Sequence, residues 1–374
     1  MKILKIPKSN LDLFVSVLPA FGELYAPVRR GSGYAFDRPM SWSEVELAYP
    51  RTILPPRKLF LPPKEATFSF DPQAGFRDRL AEAATRRVLF GVHAYDIYGL
   101  NILDRVFAQG KFPDPYYLAR RQHTAIIGID VDPDEGHFAR SMNADFVDSG
   151  FDLFLSDIGD DYLVLVGTSR GDDMVVMSGC LLQEPTSADF AEYKRRSGVR
   201  RAAYRTQVEL GDLPEILEME YHSRVWEELG ARCLSCGSCS MVCPTCYCFD
   251  VNDEVALGGR AGTRIRSWDS CLFKSHALVA GGENFRHSRA SRIKFRFYHK
   301  QRGFVAEYGR PSCVGCGRCA AACPAGIDIT TVIKMIRGQA DAHGDGTATV
   351  STAPGEPVPA AHGAHHAHPP DGAR

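Results

Sequence analysis

An α/β first half joined to a cysteine-rich second half is the architecture this 374-residue sequence predicts, and three observations carry it. Up to about residue 185, apolar runs of strand length alternate with stretches of helical spacing. Eleven of the twelve cysteines fall between Cys233 and Cys323, with Cys180 alone outside. From Asp341 onward Gly, Pro, Ala and His supply 23 of the last 34 residues, a composition that cannot build a core. The expected divisions are an α/β docking domain over 1–185, a cysteine-rich domain over 186–340 and a disordered tail over 341–374. Four tail histidines, His362, His365, His366 and His368, read as incidental metal binders in a solvated segment.

In the first half, Arg86–Val92 (RRVLFGV) is a short buried-strand pattern. The following DIYGLNILDRVF has helical spacing, with Ile97, Leu100, Leu103 and Phe107 inward. Thr124–Val131 and Tyr162–Gly167 read as further strands, and MVVM near Met174 as a fourth. RGSGYAFDRP has an incomplete glycine pattern with no strand before it and reads as a loop, so no dinucleotide fingerprint is present. FAEYKRRSGVRRAAYRTQVE is a charged connector leading to a helix over Leu213–Leu229, whose inner edge is Leu217, Tyr221, Val225 and Leu229 with Trp226 beside it. A last helix, IDITTVIKMIRG, ends at Gly338, a suitable C-cap.

Hydrophobic content of 44% and charged content of 24% are those of a chain that buries an ordinary core. The formal net charge of −1 speaks against bulk nucleic-acid binding. No run approaches the roughly 18 apolar residues of a membrane span. The N-terminus MKILKIPKSNLDLF lacks a sustained apolar segment and reads as mature protein rather than a signal peptide, so a cytoplasmic location is expected. Thiols stay reduced there, and clustered cysteines in such a compartment bind metal more often than they form disulfides.

Two segments share one pattern. Cys233-x2-Cys236-x2-Cys239-x3-Cys243-Pro244 recurs as Cys313-x2-Cys316-x2-Cys319-x3-Cys323-Pro324. This is the run of bacterial two-cluster iron–sulfur proteins, in which the fourth cysteine ligates the other cluster. The x2 steps let a tight loop wrap a cubane, and Gly237 and Gly317 inside the loops allow close backbone approach. The expected ligands are Cys233, Cys236, Cys239 and Cys323 for cluster one, and Cys313, Cys316, Cys319 and Cys243 for cluster two. Structural zinc sites more often use two separated cysteine pairs. Cys246, Cys248 and Cys271 remain over. They are either part of a third cluster or metal site lacking an obvious fourth ligand, or small polarisable residues packed around the cubanes.

Between the runs, Arg260–Arg310 holds twelve Lys/Arg against three Asp/Glu. Cations there would stabilise the negative charge of reduced clusters, and a basic face could dock an acidic partner. No arrangement for nucleophilic or hydrolytic catalysis stands out, and the cysteine pairs that hold a nickel–iron centre are absent. The chain reads as an electron carrier with no substrate chemistry of its own.

WEELGARCLSCGSCSMVCPTCYCFDV, WDSCLFKSHALVAGGENFRH and CVGCGRCAAACPAGIDI resemble the beta subunit of cytoplasmic nickel–iron hydrogenases (sulfhydrogenases), and also the iron–sulfur subunit of anaerobic sulfite reductase that shares its architecture. LPPRKLFLPPKEATF, LFGVHAYDIYGLNILDRVF and DPYYLARRQHTAIIGID are similar to the leading domain of that family. The resemblance implies an all-α ferredoxin-type domain binding two [4Fe-4S] clusters. It implies electron relay between a nickel–iron hydrogenase module and a flavin/NAD(P)-binding subunit, or alternatively service to sulfite reductase subunits or another flavin-linked reductase. No flavin or NAD site is expected in this chain. A non-redox or oxygen-sensing iron–sulfur protein is the reading from another class. Relatives place cysteine before the aspartate matching Asp96, where Tyr95 stands here, so no metal is expected in the leading half.

Overall fold

The computed structural model describes residues 2–338, and the histidine-bearing tail lies outside the described residues. Eleven strands follow one another along the chain: β1 (Lys2–Pro7), β2 (Glu23–Arg30), β3 (Gly33–Asp37), β4 (Lys64–Asp71), β5 (Gly75–Asp78), β6 (Arg87–His93), β7 (Thr124–Ile129), β8 (Leu153–Asp157), β9 (Asp161–Val166), β10 (Phe249–Val255) and β11 (Gly262–Trp268). Seven of them form one sheet in the order β1-β9-β8-β7-β6-β2-β3, and four a second in the order β10-β11-β4-β5. In the large sheet β2, β6, β7 and β8 run parallel, while β9, β1 and β3 are antiparallel additions at its flanks. β7 is buried along its whole length and β6 along nearly all of it, as parallel strands covered on both faces must be.

The helix after β6 spans Ala94–Phe107 and turns Ile97, Leu100, Leu103 and Phe107 into the core, as its spacing predicts. Two expectations in the first half are corrected. MVVM belongs to a helix, Ser169–Met177, whose N-terminus is capped by the Thr168 hydroxyl accepting from Gly171 N–H at 3.2 Å. Met174 and Val175 face inward while Val176 and Met177 are exposed, a helical rather than an alternating pattern. RGSGYAFDRP is the turn and second strand of the β2–β3 hairpin, with Gly31 at φ +57°.

A helix, Ser187–Ala202, runs through the first part of the charged connector and is opened just before it by a reciprocal capping box between Thr186 and Asp189. The helix expected over Leu213–Leu229 is split into Leu213–Met219 and Val225–Arg232. Leu217, Trp226 and Leu229 are buried, but Tyr221 is exposed.

The all-α expectation for the cysteine-rich half is overturned. β10 and β11 form an antiparallel hairpin from Phe249 to Trp268, and β11 pairs with β4, which pairs with β5. The sequence explains it: FDVNDEV and GTRIRSW flank a glycine turn, with Gly258 and Gly259 both at positive φ. A lone hairpin is marginal in water, and here two strands from the first half extend its sheet. A buried ion network fastens the junction. Glu65 on β4 pairs with Arg120 and Arg266, and Arg266 also pairs with Asp114.

Candidate functional site

Each cysteine run forms a loop that enters a one-turn helix, Ser238–Met241 in the first and Arg318–Ala321 in the second. The loops are conformational copies. Gly237 and Gly317 both lie in the left-handed region at φ +74° and +71°, and so do Ser235 and Gly315 at +53° and +64°. A side chain at Gly317 would lie 2.5 Å from the Gly136 carbonyl oxygen, so the second loop packs against first-half backbone where only glycine fits.

One cavity is lined by Cys233, Cys236, Cys239 and Cys323, the four thiols assigned to cluster one, together with Cys319. Neighbouring thiols also act on one another. Cys239 is pushed up by burial and by the neighbouring thiols Cys271, Cys323 and Cys233. Cys319 is pushed up by burial and by Cys313, Cys316 and Cys243. Among the described residues no three His, Cys, Asp or Glu side chains converge as they would on a single ion. A cubane requires thiols set around a volume instead, one to each iron.

The cations around these thiols are legible in the sequence only as a basic stretch. The helix Arg289–Tyr298 continues through a π-turn, His299–Gly303. Arg292, Arg296 and Lys300, four residues apart, are all buried. Arg296 donates to the Cys239 carbonyl at 3.0 Å and to Ser240 Oγ at 3.2 Å, and its Nη1 lies 3.5 Å from Cys246 Sγ. Lys300 Nζ donates to Thr245 Oγ1 and to the Ser312 carbonyl, both at 2.8 Å, and Thr245 Oγ1 is 3.2 Å from Cys243 Sγ. Arg292 donates to the Leu272 carbonyl at 2.9 Å. Arg57, from the first half, donates to the carbonyls of Met241 and Cys246. None of these four is in an ion pair with a carboxylate among the described residues. Burial works against the charge on Arg296 and Lys300, yet nearby thiols, Cys239 for Arg296 and Cys243 for Lys300, outweigh it and hold both above their usual range. A buried cation without a counter-ion is strongly unfavourable, so this set is built to face buried negative charge. Thiolate-held iron–sulfur clusters would supply that charge, and the residues present fit them.

Arg318, between Cys316 and Cys319, behaves differently. It makes a bidentate pair with Asp96 at 2.6 and 2.8 Å and donates to the Thr52 carbonyl at 2.7 Å, all buried. That pair joins the second cysteine loop to the first half of the chain. Tyr95 beside it is wholly buried, 2.7 Å from His93 Nδ1.

Residues 232–327 match a family model described as a 4Fe-4S dicluster domain, which takes in both cysteine runs. The sulfhydrogenase 2 subunit beta of Pyrococcus furiosus is 38% identical over 339 residues, covering 90% of this chain and 99% of that protein. The chain belongs to the sulfhydrogenase beta-subunit family. Three further cysteines, Cys246, Cys248 and Cys271, lie outside the two four-cysteine runs. Cys246 is buried with its Sγ 3.5 Å from Arg296 Nη1, and Cys271 and Cys248 pack in the same apolar core as the two runs. Cys180 is exposed and remote in sequence from both loops. No helix among the described residues is long and apolar enough to cross a membrane.

Proposed function

We propose that this chain is the electron relay of a nickel–iron hydrogenase complex, passing electrons between the hydrogenase module and a flavin/NAD(P)-binding subunit. The observation that carries the reading is the group of buried, carboxylate-free cations set among eight thiols in two repeated loops. Cys233, Cys236, Cys239 and Cys323 hold one [4Fe-4S] cluster, and Cys313, Cys316, Cys319 and Cys243 the other. When bound, the clusters supply reversible one-electron chemistry. The chain does the rest. Crossed ligation by Cys243 and Cys323 ties two distant segments and keeps the two centres close. Arg296 and Lys300 oppose the charge added on reduction, and the carbonyls they grip hold the loops in shape. Cys248 and Cys271 pack in the apolar core beside the two runs and Cys246 sits against Arg296, so all three are read as small polarisable packing residues rather than ligands of a third cluster.

Anaerobic purification from the native host, with every co-eluting chain identified by mass, tests the assembly. A flavoprotein with a nickel–iron pair is the expected company, and a sirohaem chain would move the assignment to a sulfite reductase. Iron and acid-labile sulfide are expected at about eight each per chain. Substitution of Cys236 or Cys316 by serine should remove about half, whereas Cys246→Ser and Cys271→Ser should not. Twelve irons in the parent chain would defeat the two-cluster reading.

A further inference from the structure

The two sets of thiols differ in how they meet the surface. The second loop is covered by the first half: Phe138 N–H donates to the Gly315 carbonyl at 2.9 Å, and Arg318 is locked to Asp96. In the first loop Cys236 is exposed, the only one of the eight assigned cysteines that is. Leu234 beside it is 60% exposed, and Pro324 and Ala325 line the same cavity, so the opening is apolar.

Exposed arginines are anchored at this opening. Arg232 reaches the carbonyls of Ala325 and Gly326 at 3.4 and 3.3 Å, and Arg289 the Cys233 carbonyl at 3.1 Å. Lys274 is exposed two residues beyond Leu272, which lines the cavity. None of the three is in an ion pair among the described residues. Apolar side chains around an exposed ligand, ringed by uncompensated cations, make a docking face that selects by charge.

We propose that the surface around Cys236, Leu234, Arg232, Arg289 and Lys274 is where an acidic electron-carrying protein docks, its own redox centre lying behind surface carboxylates. The proposal rests on the relay reading and adds to it the port and the partner's charge. Electrons cross at Cys236, since the loop of the other set is closed off by first-half backbone. Attraction between the cationic rim and an acidic partner raises the encounter rate and orients the approach.

The test uses the full chain, reduced with dithionite under anaerobic conditions and mixed in a stopped-flow instrument with one of three acceptors. These are rubredoxin as the acidic protein probe, cytochrome c as the basic one, and methyl viologen as a small acceptor that needs no docking. The readout is each protein rate divided by the methyl viologen rate. The expected result for the parent is a rubredoxin ratio that falls as salt rises. In Arg232→Glu/Arg289→Glu that ratio drops about tenfold while the cytochrome c ratio rises. Because both arginines grip loop carbonyls, Lys274→Glu serves as the second variant, with a shift in the same direction. Ratios unmoved by both variants would overturn the docking face while leaving the relay intact. A chain with no absorbance bleached by dithionite would overturn the relay reading, and the port with it.

Discussion

Arg296 and Lys300 carry two full charges into the interior with hydroxyls, carbonyls and sulfur as their partners. Removing one withdraws positive potential from a centre that becomes more negative on reduction, so the reduced state loses more than the oxidised one. Arg296→Met is expected to lower the midpoint potential of at least one cluster, by about 59 mV for each ~1.4 kcal/mol of differential interaction lost in a one-electron step. A potentiometric titration followed by electron paramagnetic resonance checks this, with Arg296→Lys restoring most of the value. A half-buried carboxyl lies far from the cysteines in sequence. Asp130, after β7, is pushed up to about 6 by burial, only partly offset by Arg200 at 2.5 Å. A carboxyl raised above its unfolded value of about 3.9 favours the folded state while protonated. Its contribution is therefore full below pH ~4 and is lost as pH rises through ~6. Asp130→Asn should flatten that part of the stability profile, measured as denaturation midpoints of parent and variant across the window. The two cysteine runs were legible because iron–sulfur spacing is a local pattern. The cations were legible only as a net charge, since a Lys or Arg reads the same in sequence whether it ends buried or in water.

The helix Val225–Arg232 delivers Cys233, and it packs on the helix Arg289–Tyr298, which delivers the cations. Gly230 sets their separation: a Cβ there would sit 2.6 Å from the Ala290 backbone nitrogen. Gly230→Ala must push the helices apart, at a cost of about 1–3 kcal/mol, and a lowered denaturation midpoint with reduced iron content is the expected outcome. The helix after β6 and the strands β6, β7 and β9 were readable from periodicity because each buries a continuous apolar face. The β10–β11 hairpin was not. Every residue of β10 is exposed, so burial imposes no apolar period on it, and the visible signal was the Gly258–Gly259 pair. MVVM misled for the opposite reason: four apolar residues in a row fit a strand or a helix equally until a cap such as Thr168 decides.

At the scale of the molecule, the first half supplies parts that the cysteine-rich half cannot replace. β4 and β5 complete the sheet begun by β10 and β11, Arg57 holds the carbonyls of the first cysteine loop, and Asp96 neutralises Arg318 in the second. A fragment of residues 186–338 would leave Arg318 as an unpaired cation and β11 as an open edge. It is expected to be poorly soluble and to retain little iron after anaerobic reconstitution, whereas the full chain reconstitutes. No sequence pattern announced this dependence, because the contacts join residues more than 180 positions apart. The Arg318–Asp96 pair also bears on biogenesis. Asp96 leaves the ribosome more than two hundred residues before Arg318, and the last ligand loop cannot settle until the earlier sheet and helix are in place to receive its arginine. On the proposed ligand assignment, metal loading of that loop is expected to be a late event of maturation, timed by the folding of a segment that contributes no ligand to it.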